Sequence, residues 1–332
     1  MKAMLMTAPG GPEVLQAADV PTPKPGPNEL LVRLSAAGIN PLDTKVRKLN
    51  MFYPKALPSV IGCDGAGTVE SVGSAVRRFK AGDEVYFFNN GLGSGPGNYA
   101  EYTVVHEEYA ARKPAKLSMI EAAAVPLVLI TAWEALVDRV GVKEGETVLV
   151  HAGAGGVGHV AIQLARHLGA HVATTVSGAD KARFVEGLGA ERAIDYKNQD
   201  FVEQTLAWTN GKGADVVFDT VGGAVFCQSF GAVRLYGRLA TLLSTACELP
   251  AINKARLRNI IVGYVQMTAP LFLGNHELRC AQTRILERGA LLFDEGKLRI
   301  EVAEVLALDD AAAAHKHVEE GHTTGKVVLK ID

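Results

Sequence analysis

A chain of 332 residues is too long for one average core, and its length suggests two domains of ordinary size. Net charge is −2 and Lys and Arg are scattered, so the basic footprint of a nucleic-acid binder is missing. No run of about eighteen apolar residues offers a membrane span, and the start MKAMLMTAPGG has no apolar core of a signal peptide, which points to the cytoplasm. The four cysteines (Cys63, Cys227, Cys247 and Cys280) lie far apart with no CxxC pair, and are expected to be reduced thiols.

From residue 1 to about 115, Pro and Gly clusters separate short β-like runs. Pro21–Pro27 cannot be helical; Glu29–Leu34, Thr68–Val72 and Glu84–Phe88 read as strands, the last launched by a Gly82-Asp83 turn. Ser118 with Glu121 matches a capping box, opening an Ala-rich helix that Pro126 should end or kink. A second helical stretch covers Thr131–Leu136.

Beyond about residue 145 the pattern becomes a regular alternation. Thr147–Val150, His171–Val176, Arg192–Asp195, Asp215–Asp219, Leu239–Leu243 and Asn259–Val265 read as strands. Helical spacing recurs over Val157–Leu168, Lys181–Leu188 and Phe201–Trp208, with Gly169 closing the first. Such alternation implies right-handed crossovers and a parallel sheet covered on both faces. A helix over 309–320 and a strand over Lys326–Ile331 close the chain.

The hexapeptide Gly153-Ala154-Gly155-Gly156-Val157-Gly158 fits G-x-G-x-x-G. It follows an apolar strand and opens an amphipathic helix, the context a dinucleotide-binding turn requires. Backbone N–H groups and the dipole at the helix start favour a pyrophosphate there. An NAD site carries an acid where the second strand ends; here that strand ends Val176-Ser177-Gly178, with Lys181 and Arg183 just beyond. A carboxylate would repel a ribose 2′-phosphate, so NADPH is the expected cofactor. Asp180 argues the other way unless it caps the next helix.

Other chemistry finds no anchor. His167 and His171 flank Gly169, and His315 and His317 point different ways on a helix, so all four read as solvated. There is no G-x-S-x-G elbow and no Lys-Ser/Thr after the Gly loop.

With these residues in view, the chain resembles the zinc-independent quinone oxidoreductases (the zeta-crystallin group) of the medium-chain dehydrogenase/reductase superfamily. The resemblance rests on Ala37–Asp43, Pro58–Gly67, Gly82–Val85, Gly97–Tyr102, Val125–Leu136, the Gly loop, Ile194–Tyr196, Phe218–Gly223 and Gly325-Lys326. It implies an α/β protein with a Rossmann doubly wound parallel sheet domain over 125–265 and a GroES-like β-rich domain. The latter would be assembled from 1–124 and 266–332, with the active site in the cleft between the two domains. It also implies that no zinc is bound. Zinc-dependent relatives place Cys where Asn40 stands and His-Glu where Cys63-Asp64 stand, and carry a four-Cys lobe near residues 89–98.

Site residues carried over by resemblance are Asn40 beside the nicotinamide, Thr131 on its carboxamide side, and the backbone of Ala154–Val157. Ser177, Lys181 and Tyr196 would meet the adenine-ribose phosphate, with Lys326 reaching over from the C-terminal segment. Tyr53, in Asn50–Pro54, is a candidate general acid; a quinone's reduced form can instead take its proton from water. The implied activity is hydride transfer to a quinone or related α,β-unsaturated carbonyl. An enoyl-thioester or alkenal reductase and a non-catalytic NADPH-binding protein stand as alternatives. The resemblance further implies a homodimer joined at Rossmann sheet edges, for which Asn259–Val265 is the candidate strand.

Overall fold

A computed structural model of the chain describes all residues except Pro54, Ser244, Thr245, His322 and Asp332. The chain divides into two compact units, Met1–Ile130 with Thr268–Asp332, and Thr131–Met267. These boundaries fall a few residues beyond those expected at 124 and 265. The first unit runs past Pro126, which separates helices Met119–Ala124 and Pro126–Trp133 without ending the helical path. The Ser118–Glu121 capping box is formed, with Glu121 Oε2 accepting from Ser118 N at 2.8 Å.

In the first unit, Glu29–Ile39 is the central strand of a seven-stranded sheet. It pairs antiparallel with Asp64–Val72, Tyr102–His106 and Lys326–Lys330. Val302–Ala307 then adds parallel to Lys326–Lys330, so the last part of the chain completes a sheet begun by the first. Leu30, Val32, Leu34, Val69, Val85 and Phe87 alternate inward from these strands to form the core, as period-two patterning dictates. The hairpin Lys2–Met6/Leu15–Asp19, the helix Pro41–Leu49 and the long helix His276–Asp294 add to the elements expected from the sequence.

The second unit is a six-stranded, all-parallel sheet. Its order is Arg192–Asp195, His171–Val176, Thr147–Val150, Ala214–Asp219, Val233–Thr241, Ile261–Tyr264. The first three strands run outward in one direction and the last three in the other. The order therefore reverses between Thr147–Val150 and Ala214–Asp219, the switch point where doubly wound folds bind ligands. Leu149, Ala173, Val217 and Leu239 are fully buried between the helical layers.

The expectation of four reduced thiols is overturned. Cys227, in helix Gly223–Ser229, is disulfide-bonded to Cys247, with Cα atoms 5.6 Å apart. The chain returning from strand Val233–Thr241 passes back over that helix, a proximity that a 20-residue separation does not announce. Cys63 and Cys280 are free. Among the described residues no helix is long and apolar enough to cross a membrane.

Candidate active site

The Gly-rich turn occupies the expected place, between strand Thr147–Val150 and helix Gly156–His167. Two of its glycines are required by the fold itself. A Cβ on Gly158 would stand 2.3 Å from Ala152 O, and one on Gly153 would stand 2.0 Å from Thr174 Oγ1. Gly155, the N-cap, differs: its Cβ would meet only Ala152 O, at 3.2 Å, and otherwise open space. That space is the cradle a side chain would fill and a phosphate can enter. Helix geometry leaves the first N–H groups without intrahelical acceptors, so the donors of this turn are free to meet an anion. The residues present fit a dinucleotide.

A buried histidine, His151, holds this turn. His151 Nε2 meets Ser229 Oγ at 2.9 Å, and Ser229 Oγ donates to Val225 O at 2.7 Å. With the serine proton used, Nε2 must donate and Nδ1 must accept. Nδ1 lies 3.3 Å from Thr175 Oγ1, which itself accepts from Ala152 N at 2.9 Å. Burial pulls the His151 pKa down to about 4, so the ring stays neutral and the directed chain persists at neutral pH. The chain ends on Ala152, a non-glycine residue at φ 51° that starts the turn. Across the switch point, Asp219 accepts from Val221 N, Gly222 N and Thr241 Oγ1, and Thr220 Oγ1 donates to His151 O at 2.7 Å. This accounts for the Phe218–Gly223 motif.

Ser177 follows strand His171–Val176, Tyr196 follows its neighbour Arg192–Asp195, and Tyr196 N donates to Val176 O at 3.1 Å. Lys181 lies in the first turn of helix Ala179–Glu186, close to the same strand ends. Asp180 is not that helix's cap, which is Gly178; its carboxylate pairs with Arg183 on the surface. Thr131 is buried within helix Pro126–Trp133.

The second group lies in the GroES-like unit, where three neighbouring strands bring distant residues together. Gly38 pairs with Asp64, and Ile39 with Val327, so Asn40, Asp64 and Lys326 converge at one end of the sheet. Asn40 Nδ2 donates to Asp64 Oδ2 at 2.9 Å. Asp64 Oδ1 accepts from Leu127 N at 2.9 Å. Lys326 Nζ donates to Ile39 O at 2.8 Å and to Asn40 Oδ1, and lies 3.5 Å from Asp64 Oδ2. Burial pushes the Asp64 carboxyl up and the Lys326 ammonium down, and their attraction opposes both shifts. The contacts identify the ionised pair: the ammonium meets only acceptors and the carboxylate only donors.

Lys326 is thus held within its own unit, against Ile39, Asn40 and Asp64. Its side chain is 3% exposed and its donors serve the Asn40 group. Behind it, Asp43 Oδ2 accepts from Asn40 N at 2.8 Å and from Tyr99 Oη at 3.2 Å, and Tyr99 Oη meets His315 Nε2 at 3.1 Å. His315 is thus a buried residue, not a solvated one. His167 and His171 are exposed, and His317 is half-buried beside Glu304. Tyr53 packs edge-on against Phe272, ring centres 5.9 Å apart.

The alcohol dehydrogenase GroES-like domain family matches residues 26–115, and the zinc-binding dehydrogenase family matches residues 188–329. The chain is 36% identical over 329 residues to the quinone oxidoreductase of Pseudomonas aeruginosa, covering 99% of each chain. Among solved structures, an NAD-dependent alcohol dehydrogenase is 37% identical, with a TM-score of 0.90 over all of both chains. The Escherichia coli quinone oxidoreductase complexed with NADPH is 31% identical, with a TM-score of 0.88, also over all of both chains.

Proposed function

We propose, since this chain belongs to the zeta-crystallin-like quinone oxidoreductases of the medium-chain dehydrogenase/reductase superfamily, that it reduces a quinone or related α,β-unsaturated carbonyl with NADPH and without a metal. The observation that carries the reading is the cradle at Gly155 combined with the absence of an acid at Ser177-Gly178.

NADPH, when bound, supplies the hydride. The backbone of Gly153, Ala154, Gly155, Gly156, Val157 and Gly158 would hold its pyrophosphate. Ser177, Lys181 and Tyr196 would hold the adenine-ribose phosphate, which an acid at position 177 or 178 would repel. Asn40 and Thr131 would hold the carboxamide side. Asn40 uses one N–H toward Asp64, which leaves its other N–H for a carboxamide. His151 keeps the turn in shape from behind.

Zinc-independence is supported by what the chain places at positions 40, 63 and 64. Asn40 and Asp64 are hydrogen-bonded to one another, and the Lys326 ammonium supplies the local positive charge. The Cys63 thiol is pushed up by burial and by Asp43 and Asp64, which keeps it protonated and a poor metal ligand. For Tyr53 we retain the role of candidate proton donor; water can serve the same step for a reduced quinone.

An acceptor panel separates the substrate classes. NADPH oxidation is followed with ortho- and para-quinones, simple enones and an enoyl-thioester. The reading expects the quinones to give the highest kcat/KM. A preference for the thioester would reassign the enzyme to enoyl reduction, and silence with every acceptor would leave an NADPH-binding protein without turnover.

A further inference from the structure

We propose that Glu108, His276 and Cys280 form a zinc site on the GroES-like unit, built from elements that carry neither the phosphate loop nor the Asn40 group. His276 and Cys280 are four apart at the start of helix His276–Asp294, hence on one face. Glu108 lies in the turn Glu107–Tyr109 after strand Tyr102–His106. One ligand atom from each residue falls within 4.8 Å of the others. His276 Nε2 is 3.1 Å from Glu108 Oε2 and 3.7 Å from Cys280 Sγ. A tetrahedral Zn2+ with ordinary bond lengths sets N–O and N–S edges of about 3.4 and about 3.6 Å.

Hydrogen bonding through Nε2 can serve only one of its two neighbours. Nε2 carries either a proton or a lone pair. Donating to Glu108 leaves nothing for the thiol, and accepting from the thiol turns a lone pair toward a carboxylate. A cation satisfies all three atoms at once. The other ring nitrogen is already oriented: Nδ1 lies 2.7 Å from Tyr109 Oη, as a metal-binding histidine requires of its outer partner. The Tyr109 ring is held in turn by the Arg279 guanidinium, 3.6 Å from its centre, and Arg279 donates to Asn89 Oδ1 at 2.9 Å. The Glu108 and His276 side chains are 46% and 56% exposed, so water can occupy the fourth position.

Zinc is held by the thiolate, so binding at Cys280 releases the thiol proton. The site would tie the helix of the second chain segment to the β body of the first, stabilising the folded state by mass action.

Metal-stripped full-length protein is titrated with Co2+, and with Zn2+ against a chromophoric chelator. The expected result is one equivalent bound with a thiolate-to-cobalt charge-transfer band. Cys280→Ser should lose the band, and Tyr109→Phe should weaken binding roughly 10- to 100-fold. A readout on the unaltered chain guards against a variant that fails to fold. Cys63 is buried and Cys227–Cys247 is bridged, so a thiol reagent should label Cys280, and one equivalent of Zn2+ should block that labelling. Labelling that Zn2+ leaves unchanged, or equal metal binding by the wild type and Cys280→Ser, overturns the proposal.

Discussion

Asn40 Nδ2 donates to Asp64 Oδ2 at 2.9 Å, and the other side of the same amide accepts from Lys326, 286 residues further along the chain. A buried cation, a buried anion and the amide between them thus share one end of the GroES-like sheet. Breaking a buried pair by removing one partner strands the other charge, at a cost of about 3–5 kcal/mol. Lys326→Met should lower stability by that order in chemical denaturation. Adding Asp64→Asn should recover part of the loss, because the stranded carboxylate is then gone. Equal losses in the single and double variants would mean that the pair is not charged.

Two glycines of the phosphate loop, Gly158 and Gly155, should separate by role. Gly158→Ala forces a Cβ to 2.3 Å from a backbone oxygen and should destabilise the fold. Gly155→Ala meets that oxygen at 3.2 Å with φ −77°, and should leave the melting temperature nearly unchanged while filling the cradle. NADPH titration by fluorescence is expected to show a loss of affinity for Gly155→Ala that its melting curve does not mirror.

Acid stability follows from three buried groups. Burial raises Asp43 to about 7, with Asp64 adding to the rise. Its contribution is present at low pH and is lost as pH climbs through 7. Burial lowers His151 to about 4 and His315 to about 3. Their contributions are present above the unfolded value near 6.5 and are lost as pH falls toward 4 and below. Between about pH 4 and 6.5 the unfolded chain binds two protons at the histidines and the folded chain one at Asp43. Stability should therefore fall by about 1.4 kcal/mol per pH unit on acidification. Asp43→Asn should steepen that limb about twofold, which melting curves at stepped pH can read.

Strand Ile261–Tyr264 is the outer strand of the parallel sheet, with Ile261 and Tyr264 both exposed. An apolar edge of this kind invites pairing, and a lysine there discourages it. Light scattering is expected to give twice the 35.2 kDa chain mass for the wild type and a single chain mass for Ile261→Lys.

Local chemistry carried much of the second unit into the sequence. His171–Val176, Arg192–Asp195 and Phe201–Trp208 have the bounds their patterns predict, because each lies between clear turn signals. The phosphate loop was legible for the same reason. What the pattern lacked was distance. Lys326 sits beside Asn40 because two strands pair antiparallel, and Cys227 meets Cys247 because a crossover doubles back. The register of long-range pairing is written in neither periodicity nor spacing. His151 was readable in principle, since a histidine between an apolar strand and a Gly-rich turn must be buried, and a buried imidazole needs partners.

Initial rates with a para-quinone, using NADPH or NADH after exhaustive chelation of metal, test the central claim most directly. The account predicts turnover that survives chelation, prefers NADPH, and loses that preference in Lys181→Ala. Activity that vanishes with the metal while the melting curve stays unchanged, or an unaltered chain that uses NADH as well as NADPH, would contradict it.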